Sequence, residues 1–141
     1  MENTNEMTII FDSRPTNEAL ARVAVASFCT QLNPTLEEVS DLKTAVSEAV
    51  TNCIIHGYEG EVHKIQVDCR LSGQELIVDV IDHGVGIADI QKAMEPMFTT
   101  DKTGTRSGMG FSFMEAFMDQ VHVESEPGKG TKVVMRKQIG R

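Results

Sequence analysis

The chain lacks most of the features that announce a role at a glance. It has no long basic run, and 21 acidic residues outnumber 13 basic ones for a net charge of −8. That balance argues against direct nucleic-acid binding and leaves a basic protein partner as the complementary choice. No apolar run approaches membrane-spanning length and no signal-peptide pattern is present, so no membrane role is expected and the cytoplasm is the expected compartment. Cysteine is scarce: Cys29, Cys53 and Cys69 are odd in number, widely spaced and set among apolar residues. This excludes a disulfide framework and predicts small, reduced core residues. The histidines, His56, His63, His83 and His122, share no metal-ligand spacing with them. There is no internal repeat, no linker, no Walker motif and no full dinucleotide fingerprint. What remains is 141 residues with 40% apolar content, enough for one domain, 1–141, with a real core.

The hydrophobic pattern divides this domain into about five strands and three main helices. Residues 7–12 read as a first strand. Pro15 opens a helix over about 16–32, with Leu20, Val23, Ala24, Ser27 and Phe28 on one face. Asn33-Pro34 breaks it. Thr35 with Glu38 forms a capping box, and a long helix follows to about Ile55, stopped by Gly57. Residues 63–71 and 75–82 alternate as a hairpin. A short helix is expected near 88–95, then a long polar connection over 96–108, then an apolar helix from Met109 to Met118 with Phe113 and Phe117 one turn apart. A final hairpin spans 120–126 and 131–137. Hairpins with inserted helices predict an α/β two-layer sandwich, one mixed sheet covered on one face by helices.

The most informative stretch is Ala45-Val-Ser-Glu-Ala-Val-Thr-Asn-Cys-Ile-Ile-His-Gly57. Glu48, Asn52 and His56 recur every four residues and so form one polar line on a helix. Val46, Ala49, Val50, Cys53 and Ile54 surround them. A carboxylate in that place can orient or deprotonate a hydroxyl, and a carboxamide oxygen can ligate magnesium; a solvated helix stripe is the plain alternative.

Two glycine loops follow. In Asp82-His-Gly-Val-Gly-Ile87 an aspartate ends a buried strand, where it can accept a hydrogen bond from an exocyclic amine. Gly84 and Gly86 would let a flat ring approach the backbone. The same residues also suit an ordinary turn. In Arg106-Ser-Gly-Met-Gly-Phe111, Gly108 and Gly110 open a helix whose free amides can cradle phosphate, with Arg106 placed for a terminal phosphate. A glycine-relaxed helix start reads equally well.

Taken in this order, the elements resemble the N, G1 and G2 boxes of the ATPase superfamily that contains gyrase B, the heat-shock chaperone, histidine kinases and MutL, over roughly residues 7–136. Gly130-Thr131 is similar to the remaining short box. Phe28, Leu32-Asn-Pro34, Val46-Ser-Glu-Ala-Val-Thr-Asn52, Ile54-Ile-His-Gly-Tyr58, Phe98-Thr-Thr100, Arg106-Ser-Gly-Met-Gly-Phe111, Met114-Glu115 and Phe117-Met-Asp119 resemble the small bacterial anti-sigma factor serine kinases, and the sporulation branch in particular. The resemblance implies a Bergerat-type ATP-binding fold and a kinase that uses ATP and magnesium. It implies a protein that holds a sporulation sigma factor inactive, phosphorylates a serine of an anti-anti-sigma protein and forms a homodimer. It makes Glu48 the catalytic carboxylate and Asn52 the magnesium ligand. Asp82 would bind the adenine amine, with Gly84 and Gly86 beside the ring and Thr131 in the same site. Thr99, Thr100, Arg106, Ser107, Gly108, Met109 and Gly110 would close on the phosphates. Arg22, in Ala21-Arg22-Val23, would dock both protein partners.

The sequence departs from the family pattern at His83, at Asp101-Lys-Thr-Gly104, where Lys102 is the nearest lid lysine, and at the short turn Glu59-Gly-Glu61. A stress-response anti-sigma kinase, the detached ATP-binding domain of a histidine kinase and a nucleotide-gated binding module without catalysis stand as the other readings.

Overall fold

The computed structural model describes residues 4–90, 94 and 110–140. The chain order is β1 (Thr4–Asp12), α1 (Asn17–Cys29), a 3-10 turn (Thr30–Leu32), α2 (Leu36–Asn52), a π turn (Cys53–Gly57), β2 (Lys64–Ser72), β3 (Glu75–Asp82), α3 (Gly110–Phe117), β4 (Gln120–Glu126) and β5 (Gly130–Gln138). The expected strands and main helices all appear. The short helix expected near 88–95 and the connection over 96–108 fall largely or wholly outside the described residues.

The strands form one sheet in the order β1-β2-β3-β5-β4. Every neighbouring pair is antiparallel, which corrects the expected mixed sheet. Two successive helices, α1 and α2, separate β1 from β2, so the chain re-enters at the end it left and runs back. The strands β3 and β4 run the same way. They never touch, because β5 is inserted between them and is antiparallel to both.

Helices cover one face. In β2, Ile65, Val67, Cys69 and Leu71 point into the core while Gln66, Asp68 and Arg70 alternate outward. The central strand β3 departs from this alternation and is buried on both faces. Asp79 on its outer side is only 3% exposed, tied to Arg70 at 3.2 Å and Lys132 at 3.8 Å. The three cysteines are free and buried, as expected. Burial pushes the Cys29 thiol up to about 11 and the Cys69 thiol up to about 12, so both stay protonated and unreactive.

The helix α2 lies between α1 and α3. It buries Leu42, Ala45, Val46, Ala49 and Val50, a single stripe at helical spacing. The buried face of α1 differs from the expected one. Ala21, Val25, Phe28 and Cys29 are buried, whereas Leu20 and Val23 are 54% and 58% exposed. Both rows fit a 3.6-residue period. Of the expected face Phe28 is buried, with Ala21, Val25, Ala26 and Cys29 beside it in place of Leu20 and Val23.

The capping box at the start of α2 is present in full. Glu38 N donates to Thr35 Oγ1 at 3.1 Å, and Thr35 N donates to Glu38 Oε1 at 2.8 Å. The same carboxylate accepts from Gly140 N, 3.1 Å from each oxygen, so it also ties down the end of the chain. The Thr35 amide, joined by the Gly140 amide, holds Glu38 below the usual glutamate range. Glu38→Ala should cost about 1–2 kcal/mol in urea denaturation, the scale of a lost cap. A depressed folded pKa contributes stability above the unfolded pKa that is lost as pH falls through the folded one. The gap between wild type and variant should therefore be full near neutral pH and shrink in acid.

Candidate functional site

The end of α2 is where the site begins. After Asn52 the helix widens into a π turn, closed by Tyr58 N donating to Cys53 O at 2.9 Å, five residues back. Such widenings inside helices concentrate at functional positions. This one carries Cys53, Gly57 and Tyr58 against the loop that follows β3.

Asp82 is the last residue of β3 and pairs in register with Thr131 at the start of β5. Its side chain is buried, at 3% exposure. Gly84 N donates to Oδ1 at 2.9 Å, and the Cys53 thiol interacts with the same carboxylate. Burial raises the Asp82 pKa, and the Gly84 amide and Cys53 thiol act against that rise. Burial, with the Asp82 charge beside it, raises the Cys53 thiol well above its ordinary value, so it serves as a neutral donor. Buried ionisable groups are costly unless used.

Close approach explains the glycines here. A Cβ on Gly57 would stand 2.8 Å from Asp82 Oδ2, and one on Gly84 would stand 1.9 Å from Gly57 O. The two backbones touch with no room for a side chain, and Val85 N donates to Gly57 O at 2.9 Å. Gly86 has φ +76° and its Cβ would lie 2.0 Å from Glu126 O, so the β4–β5 hairpin by itself requires glycine there. Ser125 Oγ pins the loop to that hairpin, accepting from Ile87 N at 2.8 Å, donating to Gly130 O at 2.8 Å and lying 2.9 Å from Thr131 Oγ1. A cleft of about 460 Å³ opens beside these strand ends, with Asp82, His83, Ser125, Thr131 and Lys132 in its lining. His83 is exposed.

The structure thus brings Asp82, Gly84, Gly86 and Thr131 together and sets Asn52 one residue before Cys53, which bonds Asp82. Glu48 and Asn52 are half-buried, one turn apart on α2. Gly110 begins α3. Arg22 lies on α1, half-exposed and 3.3 Å from Glu18. Thr99, Thr100, Lys102, Arg106, Ser107, Gly108 and Met109 lie outside the described residues. Among the described residues no three His, Cys, Asp or Glu side chains converge on a metal position. Magnesium held by one protein oxygen and by phosphates needs no such cage, which suits the Asn52 carboxamide. Cys53, expected as a core residue, Gly57, expected as a helix stop, and Ser125, expected in a strand, each also contact the Asp82 loop. The signal in the sequence is the proximity of Cys53, Gly57 and Tyr58 to the polar line on α2.

The site therefore sits where an antiparallel sheet under three helices brings a buried strand-end aspartate against the end of the central helix. Residues 11–137 match the family model described as the histidine kinase-like ATPase domain. In fold, the chain is similar to the structure of the RsbU and RsbW domains of Rv1364c from Mycobacterium tuberculosis (TM-score 0.70, 20% identity, 97% of this chain and 32% of that one). It is also similar to the catalytic domain of the histidine kinase ThkA (TM-score 0.58, 17% identity, 94% of this chain and 96% of that one). Within that class the chain belongs to the anti-sigma F factor family. It is 56% identical to the anti-sigma F factor of Thermoanaerobacter sp. strain X514, covering 99% of this chain and 98% of that relative. It is 54% identical to that of Oceanobacillus iheyensis over 97% of this chain and 94% of the relative. No described helix is long and apolar enough to cross a membrane.

Proposed function

We propose that this protein is an ATP-dependent anti-sigma factor of the sporulation type, which sequesters its sigma factor and phosphorylates a serine of an anti-anti-sigma protein. The observation that carries the proposal is the Asp82 carboxylate, buried and held by neutral donors at a strand end, where it can accept the amine of an adenine. Strong relatives named anti-sigma F factor support the regulatory half. The combination of Glu48 with Asn52 on α2 supports the kinase half.

In this reading Asp82 selects the base, with Thr131 beside it. Glu48 orients the incoming serine hydroxyl and accepts its proton late, because phosphoryl transfer passes through a loose transition state dominated by positioning and charge neutralisation. Bound magnesium would neutralise phosphate charge, and the Asn52 carboxamide is what this chain would offer it. The segment 99–110, with Thr99, Thr100, Arg106, Ser107, Gly108, Met109 and Gly110, would supply the phosphate lid.

Arg22 is the proposed docking residue for both protein partners. Support comes from its setting: it is a half-exposed arginine on α1, and arginine is among the side chains enriched at interface anchors. The family reading adds a homodimer and a cytoplasmic setting. Shared use of one surface makes the partners competitors. With ATP and magnesium, the purified protein should bind the sigma factor, release it to excess anti-anti-sigma protein and transfer phosphate to that protein. Arg22→Ala should weaken both associations about tenfold or more in a surface-binding assay. Simultaneous binding of both partners, or unchanged affinities in the variant, would remove Arg22 from the docking role.

A further inference from the structure

The geometry points to Tyr58 as a positioning residue for purine recognition, acting through the backbone next to Asp82. This rests on the proposed nucleotide site and assigns it a part that the sequence reading did not contain. The Tyr58 ring is buried, at 6% exposure, with its centroid 5.0 Å from that of His63. Its hydroxyl does two things at once. It donates to Lys64 O at the start of β2 and accepts from His83 N at 2.8 Å. The phenol therefore bridges the first residue of β2 and the residue after β3, holding the peptide that follows Asp82.

That bond completes a set of three made by the π turn and the residue after it. Cys53 bonds the Asp82 carboxylate. Gly57 O accepts from Val85 N. Tyr58 fixes His83 between them. Asp82 thus has its side chain oriented from one side and its following peptide from another. The helix that carries Asn52 and Glu48 continues directly into the turn that makes all three contacts. A carboxylate aims at a donor only if the backbone that carries it is fixed, and three attachments within four residues (82–85) fix it.

The test compares two ligands in two proteins by calorimetry: ADP and purine riboside 5′-diphosphate, which lacks the 6-amino group. Wild type should prefer ADP, and Tyr58→Phe should weaken ADP about tenfold, within the range for a buried donor left without its partner. The deciding readout is the preference between the ligands. A positioning role shrinks it in Tyr58→Phe to within about threefold, because only the amine uses Asp82, the signature of coupling in a double-mutant cycle. A purely structural role weakens both ligands equally and overturns the inference, as does an unchanged preference. Failure of wild type to bind either ligand would instead sink the nucleotide site. Should Tyr58→Phe fail to fold, hydrogen exchange in the wild type decides: the His83 amide should be protected, and rapid exchange there in the folded protein would overturn the assignment.

Discussion

Glu48→Gln should cut phosphate transfer to the anti-anti-sigma protein at least about a hundredfold, the scale on which general-base groups act, while ATP affinity stays within about twofold. Glutamine keeps the size of the side chain and its place on α2, one turn before Asn52, so positioning of the helix is preserved. It loses the negative charge that orients the hydroxyl and the capacity to take its proton. Glu48 is half-buried, which makes it accessible to a docked serine. Single-turnover transfer of labelled phosphate, run beside an ATP titration, separates the two effects. Near-normal transfer would exclude Glu48 from the chemistry; parallel loss of binding and transfer would make it a structural group.

Asp82→Asn should weaken ATP and ADP about tenfold to a hundredfold in calorimetry, the range for a hydrogen bond to a charged acceptor. The fold should withstand the change. Burial raises the Asp82 pKa, and a raised folded value means that its favourable contribution exists below the unfolded pKa and disappears as pH rises through the folded one. Near neutral pH the buried charge is a cost, so removing it offsets the weakened contacts to Gly84 N and the Cys53 thiol. Thermal denaturation at neutral pH should show a midpoint close to wild type while nucleotide affinity falls. A carboxylate that burdens the fold and serves a ligand fits the general opposition between stability and function.

Particular residues show where sequence suffices and where it stops. The capping box of Thr35 and Glu38, the stripe Val46, Ala49, Val50 and the alternation of β2 are local patterns, and the structure has each of them in place. Asp82 was legible because a polar residue ends an apolar strand just before two glycines. The buried face of α1 was not. Both rows fit one helical period, and only tertiary packing turns Ala21, Val25 and Cys29 inward while Leu20 and Val23 stay exposed. The direction of neighbouring strands also escaped local reading. Insertion of β5 between β3 and β4 is a long-range fact, set by pairing partners far apart in sequence. The π turn escaped for a related reason. It carries Gly57 against Asp82 and Gly84, and none of those contacts is written in the spacing of α2.

The most direct measurement is a crystal structure of the protein with a non-hydrolysable ATP analogue and magnesium. The account predicts the purine amine within hydrogen-bond distance of the Asp82 carboxylate, the metal on the Asn52 side-chain oxygen and the terminal phosphate facing Glu48. A base bound elsewhere, with Asp82 still enclosed by Cys53 and Gly84 alone, would contradict it.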